Sequence, residues 1–330
     1  MPPRYGNVLP VRFLIVLFAP IALLAQGANP NPPAPPLSKD APFTVAVSTT
    51  TMEGSPVYVV DSGPMGSRLN VINGGVRNLA NGSAHAATNA ETQLLFAGAP
   101  NVRLLFTVAE GLYRIVARRS AGITTLADLR GKRVTTPRDT SAHYFLVRAL
   151  ASAGVSESDV TIVSLPREQM ATGLAKGDAD AIAMWEPESQ KAVELLGKDA
   201  IVFPNNGVYR ELFSLYSTTD VLNDSRRRQE LVEFVRALIA AGDELKAKPQ
   251  PHFPLIAKTI GQPADLVARA WEHHAFPYAL PKDALDVMEQ EETWVARSQK
   301  RAPRTRAALA EFIDTTVLAE ARKRLAQSRE

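Results

Sequence analysis

Where a strand hands over to a helix, free backbone N–H groups and the positive helix end make a place for an anion. Thr135–His143 (TTPRDTSAH) has that form: an extended run ends, a loop of small polar residues follows, and a helix starts at or near Ser141. The hydroxyls of Thr140 and Ser141 add donors there without adding charge. Plain capping of the helix by Thr140 or Ser141 is the simpler use of the same groups. Two other strand ends are built alike. Ser48-Thr49-Thr50-Thr51 closes the first β-rich run, and Thr88-Asn89-Ala90-Glu91 closes the third. Ligands gather at the carboxyl ends of parallel strands, so three such ends point toward one cleft. Trp185, in Ala179–Pro187 (ADAIAMWEP), adds an aromatic at another strand end, where it packs on a ligand's carbon skeleton or fills the core.

Catalytic patterns are missing from the chain. It has no G-x-S-x-G, no G-x-x-x-x-G-K-[ST] and no H-E-x-x-H, and Gly131-Lys132 lacks the upstream glycine of a phosphate loop. Ser141 and His143 are two apart, and such positions on a helix do not face each other. Of the five histidines, His273 and His274 are adjacent; on a helix they would point roughly 100° apart and would not chelate one ion. No metal site and no cofactor are expected. The absence of cysteine rules out disulfides, thiolate catalysis and zinc-thiolate sites together.

The elements that must position these groups alternate. Short β-rich runs (Phe43–Ser48, Leu69–Asn73, Ala84–Thr88, Leu104–Val108, Tyr113–Arg118, Lys132–Thr136, Val160–Leu165, Ala179–Met184, Ala200–Phe203) are interleaved with helical segments up to about Thr219. Such alternation implies parallel sheets covered by helices. The remainder is helical. Ser225–Lys246 places Leu231, Phe234, Val235, Leu238, Ile239 and Leu245 at helical spacing behind Asn223 or Asp224 as a cap. Further helices fit Phe253–Ile260, Ala264–His273, Lys282–Val295 and Thr305–Leu325. The expected fold class is α/β, with two lobes and a helical C-terminal segment packing on the first. Lobe 1 is expected over 43–118 and 219–330, and lobe 2 over 119–218.

Arg4 and Arg12 flank a short start, Phe13–Leu24 is unbroken apolar, and Ala25-Gln26-Gly27-Ala28 supplies small residues. This reads as a cleaved secretory signal over residues 1–28. A spanning helix would need about 20 apolar residues, and this run is shorter and holds Pro20. Residues 29–42 are proline-rich and read as an extended spacer. The net charge is +3, and losing Arg4 and Arg12 leaves +1, a field too weak to recruit nucleic acid.

Ile123–Val134 (ITTLADLRGKRV), Asp139–Tyr144 (DTSAHY), Leu174–Pro187 (LAKGDADAIAMWEP) and Phe312–Ala319 (FIDTTVLA), in this order, resemble the periplasmic binding proteins of ABC importers for nitrate, sulfonates and taurine, a group that includes thiamine-precursor binders. The resemblance implies a two-lobed periplasmic-binding-protein fold (type II) that closes on a small anionic solute. It implies an ABC permease and ATPase complex in the inner membrane as partner, a periplasmic location and no enzymatic activity. By the same resemblance Thr140, Ser141 and Ala142 meet the anionic head, Trp185 and Glu186 face it from the other side, and Thr49, Thr50 and Asn89 come from the first lobe. Arg114 or Arg138 could assist, and the hinge would lie around Tyr113–Arg118 and Leu212–Thr218. Ser48–Ser55 lacks the Gly-Tyr start common in the family, and Ala84–Asn89 lacks its frequent acidic residue. A ligand-binding subunit for a membrane sensor and a binder of a neutral pyrimidine remain the alternatives.

Overall fold

The structure, a computed structural model, describes residues 36–327. The expected export signal and the first part of the proline-rich spacer lie outside the described residues. The β-rich runs form strands β1 (Phe43–Val47), β2 (Leu69–Asn73), β3 (Ala86–Asn89), β4 (Val102–Gly111), β5 (Arg114–Arg118) and β6 (Arg133–Thr135). They continue as β7 (Thr161–Val163), β8 (Ala181–Met184), β9 (Ala200–Pro204), β10 (Phe213–Thr218) and β11 (His274–Ala275). One sheet has the order β11-β4-β10-β3-β1-β2 and the other β7-β6-β8-β5-β9.

Both sheets are mixed rather than parallel. β1 runs parallel to β2 and β3, while β10 runs antiparallel to β3 and β4. β6 runs parallel to β7 and β8, while β5 runs antiparallel to β8 and β9. Two of the reversed strands, β5 and β10, are those that first follow a passage between the sheets, where the chain arrives from the opposite side; the short β11, antiparallel to β4, is a third. These passages fall between β4 and β5 and between β9 and β10. The boundaries expected at 118 and 218 are therefore displaced: β5 lies in the five-stranded sheet, and β10 lies in the six-stranded one.

The helical tail packs on the six-stranded sheet. Its long helix, Ser225–Ala247, is capped by Asp224, whose Oδ1 accepts the Arg227 N–H at 2.8 Å. Leu231, Phe234, Val235, Leu238 and Leu245 on that helix are fully buried against β1 and the helix Ser55–Ser62. Each such side chain contributes about 1.5–3 kcal/mol. The expected helix Thr305–Leu325 is two helices, Arg306–Ala310 and Thr316–Gln327. The break has a partner: Leu104 N–H donates to Phe312 O at 2.6 Å, and Asp314 N–H donates to Leu104 O at 3.0 Å. β11 reaches only Glu110 and Gly111 of β4, so these bonds cover backbone that the edge would otherwise expose.

Candidate functional site

A cleft of about 350 Å³ opens where the carboxyl ends of strands from both sheets meet. Ligand pockets commonly start at about this size. The six-stranded side supplies Ser48, Thr50, Thr51 and Glu53 after β1, Asn73 and Gly74 at the end of β2, and Asn89, Ala90 and Gln93 after β3. The five-stranded side supplies Thr140 and Ser141 after β6, Arg167 after β7 and Trp185 after β8. β10 is antiparallel to β3, so its start, Phe213, reaches the same edge with Glu211 just ahead of it.

The structure brings five of the eight predicted residues to this cleft. Thr50 is exposed on its rim, and its Oγ1 accepts Arg167 Nη1–H at 2.9 Å. Asn89 lines the wall, its Oδ1 accepting the Ala90 N–H at 3.0 Å. Thr140 and Ser141 line it too, and neither spends its hydroxyl on capping the helix Ser141–Ser152. The Thr140 hydroxyl donates back to Pro137 O at 2.7 Å. Ser141 Oγ lies 2.8 Å from the Tyr113 hydroxyl and donates to Glu211 Oε1 at 3.4 Å. Trp185 is packed into the wall with 8% of its surface open, and the Arg167 guanidinium lies over its ring at 5.2 Å.

Three predicted residues fall outside the lining. Thr49 uses its backbone N–H to hold Asn73 Oδ1 at 3.1 Å. Ala142 is fully buried in the hydrophobic core, on the inner face of its helix. Glu186 is buried with both oxygens engaged: Oε1 accepts Arg114 Nε–H at 2.9 Å, and Oε2 accepts the Gln190 N–H at 2.9 Å. That pair also removes Arg114 as a helper, and Arg138 lies elsewhere, beside Glu157 and Ile162. The cation at the cleft is Arg167. No ion pair of Arg167 with a carboxylate occurs among the described residues, because its loop faces Thr50 and Trp185. Its signal was its place after the strand Val160–Leu165, a fourth strand end like the three singled out.

The depth of the cleft is acidic, which no motif announced. Glu211 Oε1 accepts the Tyr113 hydroxyl at 2.6 Å. Burial raises the Glu211 carboxyl well above the usual range, and the charges of Glu53 and Glu91 add to it. Glu53 approaches His274 Nε2 at 3.5 Å. Burial pulls the His274 imidazole down, but hydrogen bonding and charge from Glu53 outweigh it and hold its pKa raised. His274 sits on strand β11, not on a helix with His273. His143, near Ser141 in sequence, is turned away: its Nδ1 accepts the Asp139 N–H at 3.2 Å and its Nε2 meets Glu157 at 2.9 Å. Among the described residues no group of three or more His, Cys, Asp or Glu could hold a metal ion.

Two mixed sheets covered by helices, joined by two passages and meeting at a polar cleft, make this a two-lobed α/β protein of the periplasmic-binding-protein fold. The chain belongs to the NMT1/THI5-like family, whose sequence profile matches residues 73–251. A protein of Escherichia coli K12 described as aliphatic sulfonates-binding is 26% identical over 180 residues, 54% of this chain and 55% of the relative. The taurine-binding periplasmic protein of the same strain is 30% identical over 135 residues, 40% of each chain. The chain thus spans about half the length of the curated relatives it matches, or less. Among solved structures, the alkanesulfonate-binding protein SsuA from Xanthomonas axonopodis pv. citri, bound to MOPS, superposes with a TM-score of 0.67 at 20% identity. That match covers 84% of this chain and 99% of SsuA. The desulfurization enzyme DSZB shares the fold, with a TM-score of 0.60 at 16% identity over 85% of this chain and 99% of the enzyme. No helix among the described residues is long and apolar enough to cross a membrane.

Proposed function

We propose that this protein is the exported solute-binding component of an ABC importer and captures a small organic anion, a sulfonate above all. The observation that carries the reading is Arg167. It is a guanidinium without a carboxylate ion-pair partner among the described residues, laid over Trp185 at the mouth of a cleft lined by Thr50, Thr140 and Ser141. A planar guanidinium and neutral hydroxyls hold an oxyanion by charge-assisted and neutral hydrogen bonds together. Membership of the NMT1/THI5-like family and the sulfonate- and taurine-binding relatives support the same class. The two lobes are residues 43–111 with 213–327, and 114–204. They close about the passages between β4 and β5 and between β9 and β10. The protein then works in the periplasm, after removal of a signal near Ala25–Ala28, and delivers its ligand to a permease and ATPase complex in the inner membrane.

A hydrolytic or desulfurizing role has less to stand on. The Ser141 hydroxyl is engaged with Tyr113 and Glu211, and no imidazole touches it. The test is calorimetric titration of the purified protein with ethanesulfonate, propanoate and nitrate, with recovery of the ligand unaltered afterwards. Binding of an organic anion without turnover is the expected result. Failure of every anion, or conversion of one, would sink the proposal.

A further inference from the structure

The turn that brings Thr140 and Ser141 to the cleft is held at one residue from both sides. Asp139 has φ +58°, the left-handed region that a residue with a β-carbon keeps only where its surroundings fix it. Its N–H donates to His143 Nδ1 at 3.2 Å, and its carbonyl accepts Gln93 Nε2–H at 3.0 Å. Gln93 belongs to the helix Glu91–Ala97 on the six-stranded side, so that bond runs from one wall of the cleft to the other. His143 stands in the first turn of the helix that Ser141 begins, at its third position. A side chain there can reach back to a backbone N–H ahead of its own helix.

His143 is itself fixed in place. It is 3% exposed, Trp294 of the helix Ala284–Ser298 meets its ring edge-on at 5.1 Å, and its Nε2 lies 2.9 Å from Glu157 Oε1. The two ring nitrogens therefore have opposite tasks. Nδ1 offers its lone pair to the Asp139 N–H, which leaves the proton on Nε2 for Glu157 to accept. Burial, joined by the charge of Arg138, holds the imidazole below its usual pKa against the pull of Glu157 and Asp139. An imidazolium would carry a proton on Nδ1 and lose the bond to Asp139. We infer, on the organic-anion reading above, that His143 is a positioning residue for capture: through Asp139 it fixes the turn from which Thr140 and Ser141 face the ligand. It lies outside the lining of the cleft and acts only through that backbone. The rival role for a buried histidine is to fill the space beside Trp294.

Three substitutions separate the two roles. Asparagine at 143 sets its side-chain oxygen about where Nδ1 stands, glutamine sets its amide about where Nε2 stands, and alanine supplies neither. Calorimetric titration of the full chain with ethanesulfonate should show H143A and H143Q weakened by about 10-fold or more. H143N should retain most of the affinity. A melt of each variant reports its folding separately, and if H143A does not fold, H143N against H143Q still gives the comparison. Nitrogen NMR of the imidazole in the unaltered protein should show the proton on Nε2 and a bare Nδ1. Unweakened binding by H143A and H143Q, or H143N as weak as H143A, overturns the inference and leaves the organic-anion reading standing. A proton on Nδ1 in the unaltered protein overturns it too, whatever the variants do. If the unaltered protein binds neither ethanesulfonate nor propanoate, the organic-anion reading falls, and the role of His143 in capture falls with it.

Discussion

The Tyr113 hydroxyl donates to Glu211 Oε1 at 2.6 Å and ties together the two passages by which the chain moves between its sheets. Tyr113 lies between β4 and β5, and Glu211 lies between β9 and β10. The bond thus bridges both inter-sheet segments, with Glu211 on the lining of the cleft.

Removing this hydroxyl in Y113F leaves a buried carboxyl with only the longer Ser141 contact. A lost bond to a buried group costs about 1–3 kcal/mol. The midpoint of urea unfolding is expected to fall accordingly with an unchanged slope. A midpoint equal to that of the unaltered protein would show that the two passages are not coupled by this bond.

Arg167 is expected to be the main determinant of anion affinity. R167A should weaken ethanesulfonate binding by 10-fold or more. R167K should recover only a part, because an ammonium neither stacks on Trp185 nor presents a planar fork. Affinity in the unaltered protein should also fall as salt is raised. Full binding by R167A would place the anion elsewhere.

Arg114 and Glu186 form a buried pair with side chains 11% and 3% exposed. R114M strands the carboxylate and is expected to cost about 3–5 kcal/mol, whereas R114M/E186L should recover most of that loss. A thermal melt of the two variants gives the comparison. If the double variant is as unstable as the single one, the pair is not the origin of the effect.

His85 supplies an acid-side pH dependence. Burial, followed by the charge of Arg227, pulls its pKa down to about 4, and its Nδ1 accepts the Thr44 N–H at 2.9 Å. In the unfolded chain it titrates near about 6.5. The folded state therefore binds fewer protons, and this contribution is complete above pH ~6.5 and is lost as pH falls toward about 4. On the order of 2 kcal/mol should be gone by pH ~4.5. Glu91 and Glu211 are raised by burial and give the opposite slope, so the difference between the unaltered protein and H85Q isolates the histidine. Parallel stability curves for the two proteins would contradict this assignment.

Period and composition made the scaffold readable. The Ser225–Ala247 stripe, the cap at Asp224 and the polar ends of β1, β3 and β6 all stand in local sequence. Strand direction was not readable, because β5 and β10 owe theirs to passages between sheets. The family motifs turned out to be partly framework. Asp128 accepts the N–H groups of Thr124 and Thr125, and Phe312–Asp314 clasps Leu104. Glu53 and Glu211 escaped notice because they are 158 positions apart in sequence and converge only through the register of β10 beside β4. Glu186 was legible as a residue beside the site, but its engagement by Arg114 depends on the pairing of β5 with β8.

The guanidinium stacked over Trp185 has an optical consequence. Trp271 and Trp294, the other two indoles in the chain, sit in aromatic clusters with Phe253 and Phe276, and with Phe96 and Tyr144. Trp185 alone among the three borders the cleft, so a solute that draws Arg167 off the ring changes the emission of a single fluorophore. The protein carries its own reporter of occupancy, and no label need be attached to watch it fill.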